Sequence, residues 1–230
     1  MLPIEKGDDG KPEIHYTRVF RIFKRWCNDG SLVKAFINSV LYLDKYDKLD
    51  LSIIHGDGTT TAAKKGGDYI GFNGHKKMKG DKIIAMVDRN VNIICPFTVA
   101  AGNTSETILL DDAMSWLKKI LNLMNKELKG IIMSLDSIYD SKKNRKKVFN
   151  NGMIPNIKEN PRGRKKTKPG PKRIYDDEIF QERFRTVERA FAWEDKFKRL
   201  LLRFETISLH HFSLKLIAYT MINLRHFCKA

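Results

Sequence analysis

Leu51-Ser52-Ile53-Ile54-His55-Gly56-Asp57-Gly58-Thr59-Thr60-Thr61 is where the sequence leaves helical spacing for strand character. Asp57 follows Leu51, Ile53 and Ile54 in it and sits between two glycines that leave space beside the backbone. Alone, such an aspartate reads first as a turn residue. Downstream, Lys82 to Asp88 and Val91 to Val99 read as two further strands joined at Asp88, Arg89 and Asn90. Ser105 to Leu128 predicts a long amphipathic helix with Ile108, Leu109, Ala113, Trp116, Leu117, Ile120, Leu121 and Met124 on its apolar face. Gly130 to Leu135 is a buried-strand candidate ending in Asp136, a basic helix is predicted near Ser141 to Asn150, and a fifth strand at Met153 to Ile157. Helices from Asp177 to Phe204 and Ser208 to Phe227 complete an order that implies a mixed α/β sheet with helices on its faces.

Upstream, Val19, Phe20, Phe23 and Trp26 recur at helical spacing with Arg18, Arg21, Lys24 and Arg25 around them, and Asn28, Asp29 and Gly30 end the helix. Ser31 is expected to cap a second helix through about Leu43. Residues 1–50 are thus a helical appendage, suited either to packing or to entering a DNA groove, and residues 51–230 the main domain. The segment 158–173 cannot form regular structure, because Pro161, Gly163, Pro169 and Pro171 interrupt Arg162, Arg164, Lys165, Lys166, Lys168, Lys172 and Arg173. It reads as a phosphate-gripping arm ahead of a solvated linker.

Lys and Arg total 43 against 27 acidic residues, a formal net charge of +16 over 230 residues. That excess points to a polyanionic partner, nucleic acid before a ribosome, a membrane surface or a merely Lys-rich composition. No apolar run reaches the roughly 18 to 20 residues that span a bilayer, and the start lacks a signal-peptide pattern, so a cytoplasmic protein is expected. Cys27, Cys95 and Cys228 are widely spaced without a CxxC pair, which suggests reduced structural thiols rather than a zinc site or disulfides.

Carboxylates inside apolar patterns are the informative ones. Asp136 stands at the carboxyl end of its strand, where open sheets keep functional groups, although helix capping explains it equally well. Glu188 has Phe184 four residues before it and Phe191 three after, which sets it beside an apolar stripe, with Arg185 and Arg189 as alternative salt-bridge partners. Asp88 is read as a turn residue and Asp140 as the cap of the helix near Ser141.

Several stretches together resemble bacterial insertion-sequence transposases. They are His55-Gly56-Asp57-Gly58-Thr59-Thr60, Gly74-His75-Lys76-Lys77-Met78-Lys79-Gly80, Leu135-Asp136-Ser137-Ile138-Tyr139-Asp140 and Val187-Glu188-Arg189-Ala190-Phe191-Ala192-Trp193. Lys198 to Glu205 and Ile222-Asn223-Leu224-Arg225 extend the likeness, which runs from about Tyr16 to Cys228. The resemblance implies a ribonuclease H-like fold, here a mixed five-stranded sheet flanked by helices, with an Asp-Asp-Glu triad of Asp57, Asp136 and Glu188. The triad would hold Mg²⁺ or Mn²⁺, two ions about 3.5 to 4 Å apart, for phosphodiester cleavage and strand transfer. Lys76, Lys77, Lys79, Arg164, Lys165, Lys166, Lys168, Arg183, Arg185 and Arg189 are the expected DNA contacts, and a homodimer on terminal inverted repeats and target DNA the expected assembly.

Two positions depart from that pattern. Phe184 stands where an Arg commonly precedes the Glu by four residues, bracketed by Arg183 and Arg185, and Asp195 stands where a Lys or Arg commonly follows by seven, with Lys196 next to it. Related proteins also have more sequence before the region of Val19, so residues 1–50 are expected to be the remnant of an end-binding domain, with activity impaired by truncation. The competing expectations are an inactive, transposase-derived DNA-binding repressor and a generic nuclease indifferent to repeat ends.

Overall fold

The computed structural model describes residues 5–8, 10–95, 98–161 and 173–228. Helices α1 (Tyr16–Asn28) and α2 (Ser31–Lys45) come first. Gly30 turns between them at φ 75°, a left-handed conformation open to glycine at little cost. Ser31 is the first residue of α2 rather than its cap, and its N–H donates to Asp29 Oδ1 at 2.9 Å.

The strands are β1 (Ile53–Ala63), β2 (Gly71–Asn73), β3 (Met78–Asp88), β4 (Thr98–Ala101), β5 (Ile132–Leu135), β6 (Ile154–Ile157) and β7 (Leu202–Arg203). They form one mixed sheet in the order β2-β3-β1-β5-β6, with β4 also on β3 and β7 on β1. β1 pairs antiparallel with β3 and parallel with β5, and β5 pairs parallel with β6. Helices α3 (Glu106–Leu123), α4 (Lys142–Asn150), α5 (Asp177–Asp195) and α6 (Ser208–Leu224) flank it, an arrangement compatible with a ribonuclease H-like fold. The sheet has seven strands rather than the five expected, since β2 and β7, of three and two residues, are too short to show a period.

The expected strand from Val91 to Val99 is the main departure. Val91 turns back at φ 64°, Ile93 makes an isolated bridge to Val87, and β4 begins only at Thr98. Two side chains take the place of strand partners. Asp88 accepts from the Asn92 N–H at 2.7 Å and the Asp50 N–H at 2.9 Å, while Asn223 of α6 pairs with both the N–H and C=O of Ile93 at 2.9 Å. The segment thus folds back on the end of β3, with the Ile94 N–H donating to the Met86 carbonyl at 3.0 Å, and the distant helix supplies the partners of Ile93.

The core runs from α2, through Phe36 and Val40, across Ile54, Ile84, Met86, Met133 and Leu135 of the sheet, to Leu110, Leu117 and Leu121 of α3. α2 packs on α6 and α5 lies across β1, β3, β5 and β6. α1 is less embedded: only Cys27 is buried, and Phe20 and Trp26 remain exposed despite their helical spacing. α3 ends five residues earlier than expected, with Ile108 exposed rather than on the buried face. No helix among the described residues is long and apolar enough to cross a membrane.

His211 of α6 is fully enclosed, and burial first, then the charges of Lys215, Arg203 and Arg199, push its pKa down to about 3. Glu205 lies 3.3 Å from Nδ1, but it is also paired with Arg199, which offsets its pull. The imidazole is thus neutral when folded, while the unfolded chain takes up its proton below about pH 6.5. Stability should fall by about 1.4 kcal/mol per pH unit on this account between roughly pH 6 and pH 3. Urea denaturation over that range should show a shallower slope for His211→Gln; an unaltered slope would mean that the folded imidazole is charged.

Candidate active site

Parallel pairing of β1 with β5 puts Gly56 opposite Leu135 and so carries Asp57 and Asp136 past each other as neighbours. The approach is close, since a Cβ on Gly56 would lie 2.5 Å from Leu135 Cδ2. Arg183 of α5 reaches into the pair. Its Nη1 donates to Asp57 Oδ2 at 2.6 Å and its Nη2 lies 3.9 Å from Asp136 Oδ1. The other Asp57 oxygen accepts from the Gly58 N–H at 2.8 Å, and Asp136 Oδ1 accepts from the Ser137 N–H at 2.6 Å as the cap of a 3-10 turn, Ser137–Tyr139. Burial pushes the Asp57 carboxyl upward, Arg183 and the Gly58 N–H oppose that, and Asp136 adds to it, leaving it above the ordinary carboxylate range.

Arg183 is only 2% exposed, with its guanidinium carbon 4.5 Å from the Phe184 ring centroid and 5.2 Å from that of Phe180. Expected as a surface phosphate contact, it is buried against the two aspartates. One step back along the strands, His55 lies opposite Ser134 in the register. His55 is fully buried, its Nε2 is 3.5 Å from Glu182 Oε1, and burial lowers its pKa. Glu182 itself is gripped by Arg89 at 2.7 and 3.0 Å. His55 Nδ1, Ser134 Oγ and Arg183 Nε are buried without a hydrogen-bond partner among the described residues, while His55 Nε2 has only the long contact to Glu182. The seat of α5 on the sheet is thus incompletely satisfied, which is costly.

Glu188 is elsewhere on that helix. The buried stripe of α5 is Phe180, Arg183, Val187, Ala190 and Glu194, whereas Phe184, Arg185, Glu188 and Arg189 are exposed. No three His, Cys, Asp or Glu side chains among the described residues are grouped to hold a metal ion. Asp57 and Asp136 are thus brought together around Arg183, and Glu188 is not grouped with them as a third ligand. The pair still fits a hard divalent cation, because it offers carboxylate oxygens, 26% and 39% exposed, that already share one cationic group.

Lys76, Lys77 and Lys79 are exposed at the β2–β3 turn and the start of β3. Arg164, Lys165, Lys166 and Lys168, with most of the expected basic arm, lie outside the described residues. Two other aspartates have structural roles. Asp88 is an internal acceptor whose burial raises its pKa to about 6 against its N–H donors. Asp140 does not cap α4, a role taken by Ser141; it binds Arg145 at 2.9 Å, Arg173, and the Asn160 N–H at 3.0 Å. The residue that sequence reasoning undervalued is Arg183, and its signal was a cation repeating at helical spacing with Phe180, Val187 and Ala190.

A family model described as a transposase DDE domain matches residues 48–224. No curated protein matches the chain.

Proposed function

We propose that this chain, which belongs to the transposase DDE-domain family, cleaves and transfers DNA strands at the ends of an insertion sequence. Asp57, Asp136 and Glu188 are assigned as the acidic ligands of Mg²⁺ or Mn²⁺. The observation that carries the reading is the pairing of Asp57 and Asp136 around a single cationic group at the end of β5. Bound divalent ions would supply Lewis acidity toward the scissile phosphate and an activated water or 3′-hydroxyl. Asp57 and Asp136 fix where that charge sits, and the two N–H groups that bind their inner oxygens set the carboxylate orientation. Glu188 would have to be brought to the pair by a change in the seat of α5, since its side chain is exposed in this arrangement.

Exposed Lys76, Lys77, Lys79, Arg185 and Arg189 suit backbone phosphates of duplex DNA, the proposed partner, bound by two copies of the chain. Replacing Lys76, Lys77 and Lys79 with Ala should flatten the dependence of log affinity on log salt by about 0.9 per lost phosphate contact. A filter-binding series in rising salt measures it, and an unchanged slope would remove this turn from the interface.

The test of the function is Mg²⁺-dependent nicking of a duplex carrying the element's terminal inverted repeats, compared with a scrambled duplex. Cleavage at the repeats supports transposition, and equal cleavage of both duplexes identifies a general nuclease. A second reading, a DNA-binding repressor that no longer cuts, is favoured by one observation, that Glu188 is exposed and not grouped with the aspartates among the described residues. Binding without metal-dependent cleavage would establish it.

A further inference from the structure

Two carboxylates brought together in a partly buried place repel each other unless a positive charge lies between them. Here that charge is Arg183, and it is not a surface cation that has drifted in. It is almost wholly enclosed, it stacks on Phe184 and Phe180, and its Nη1 and Nη2 straddle Asp57 and Asp136. Among the described residues its Nε finds no acceptor, so the side chain is not fully satisfied in this seat. Neighbouring Ser134 Oγ and His55 Nδ1 have none there either.

We propose that Arg183 is the resident counter-ion of the acidic pair, that it must leave before a divalent ion takes the carboxylates, and that a DNA phosphate draws it away. This rests on the reading of Asp57 and Asp136 as metal ligands. A guanidinium bonded to Asp57 occupies the oxygen a metal would use, so the two cations compete for one place. Once displaced, the planar guanidinium needs a new anion, and phosphate suits its fork geometry. DNA that accepts Arg183 therefore empties the acidic pair, and metal that empties the pair releases Arg183 toward DNA. By linkage each ligand raises the affinity for the other by the same factor. Without DNA the aspartates stay neutralised, which limits idle metal chemistry on water.

The experiment measures Mn²⁺ binding by electron paramagnetic resonance of the free ion, with no turnover involved. It uses the full chain, with and without a short duplex. Arg183→Gln, without DNA, should bind Mn²⁺ on the order of tenfold more tightly than the unsubstituted protein, the scale of one charge-assisted hydrogen bond. Adding duplex should tighten Mn²⁺ binding to the unsubstituted protein by a similar factor and to Arg183→Gln much less. Arg183→Lys, which keeps the charge but not the fork, should fall between the two. Equal or weaker Mn²⁺ binding by Arg183→Gln would overturn the proposal, because Arg183 would then support the site instead of occupying it. Should that variant fail to fold, the absence of any duplex effect on the unsubstituted protein overturns it equally. Asp57→Asn and Asp136→Asn separate the two layers of argument. If they bind Mn²⁺ as before, the metal-ligand reading fails; if they lose it while Arg183→Gln gains nothing, only the counter-ion role fails.

Discussion

Asp57→Asn, Asp136→Asn and Glu188→Gln are each expected to lower Mg²⁺-dependent strand cleavage by at least about 10³-fold, roughly 4 kcal/mol of barrier, while duplex affinity hardly changes. Each replacement keeps the side-chain shape and removes the charge that a hard cation needs. In the proposed interface DNA docking would depend instead on Lys and Arg contacts to phosphates, which these changes leave in place. Asp88→Asn is the contrast: its carboxylate serves the Asn92 and Asp50 amides, so the loss should appear in stability and not in cleavage per folded molecule. Single-turnover nicking with titrated Mg²⁺, alongside binding isotherms, separates the effects. If Asp57→Asn cuts normally, the assignment of the acidic pair is wrong. If both aspartates prove essential and Glu188→Gln does not, the third ligand is another carboxylate, and Glu182, on the same helix and 26% exposed, is the first to test.

Local pattern carried much of the fold. α1, α4 and β6 were legible from spacing alone, because each buries or exposes its residues within a single continuous segment. Val91 to Val99 was not, because it turns back at Val91 and both backbone groups of Ile93 are taken by Asn223, 130 residues away in the chain. A run of apolar residues predicts burial, but strand identity depends on a partner that the run does not contain.

The phase of α5 was misjudged in a similar way. Phe184 and Phe191 suggested an apolar stripe beside Glu188, yet Phe184 is 40% exposed and lies against the Arg183 guanidinium. The stripe runs one residue earlier through Phe180, Arg183 and Val187, since Arg183 answers the charge of Asp57 on the sheet. Charge pairing between a strand and a helix 126 residues apart fixed the helix rotation, and hydropathy cannot register that preference. The neighbourhood of Asp57 and Asp136, by contrast, follows from parallel pairing of two strands that were both readable.

Arg203→Met is expected to destabilise the protein by about 3 to 5 kcal/mol, a large part of a typical domain's stability. Arg203 is fully buried on β7, donating to Asp68 at 2.7 Å and to the Glu205 carbonyl at 2.9 Å, with Nη1 at 3.4 Å from Asp81. Asp81 is only 2% exposed, burial already raises its pKa, and Arg203 is the strongest influence opposing that rise. Without Arg203 a buried carboxylate loses its main counter-ion, leaving the weaker pull of Lys215, whose ammonium is paired with Glu194. Asp68 contributes less to the loss, since its side chain is 47% exposed and water can serve it. Removing the stranded charge as well, in Arg203→Met with Asp81→Asn, should therefore recover part of the stability, so that the double variant loses less than the sum of the singles. Urea unfolding of the four proteins in the cycle measures this, and strictly additive losses would show that the two charges do not interact. The consequence reaches the acidic pair. β7 joins the far end of β1 at Ala62 and Ala63, and α6 behind it holds α5 through Lys215 and Tyr219 on Glu194. Loosening that anchor should weaken Arg183's hold on the acidic pair too, so Arg203→Met should bind Mn²⁺ more tightly than the unsubstituted protein in conditions where it remains folded.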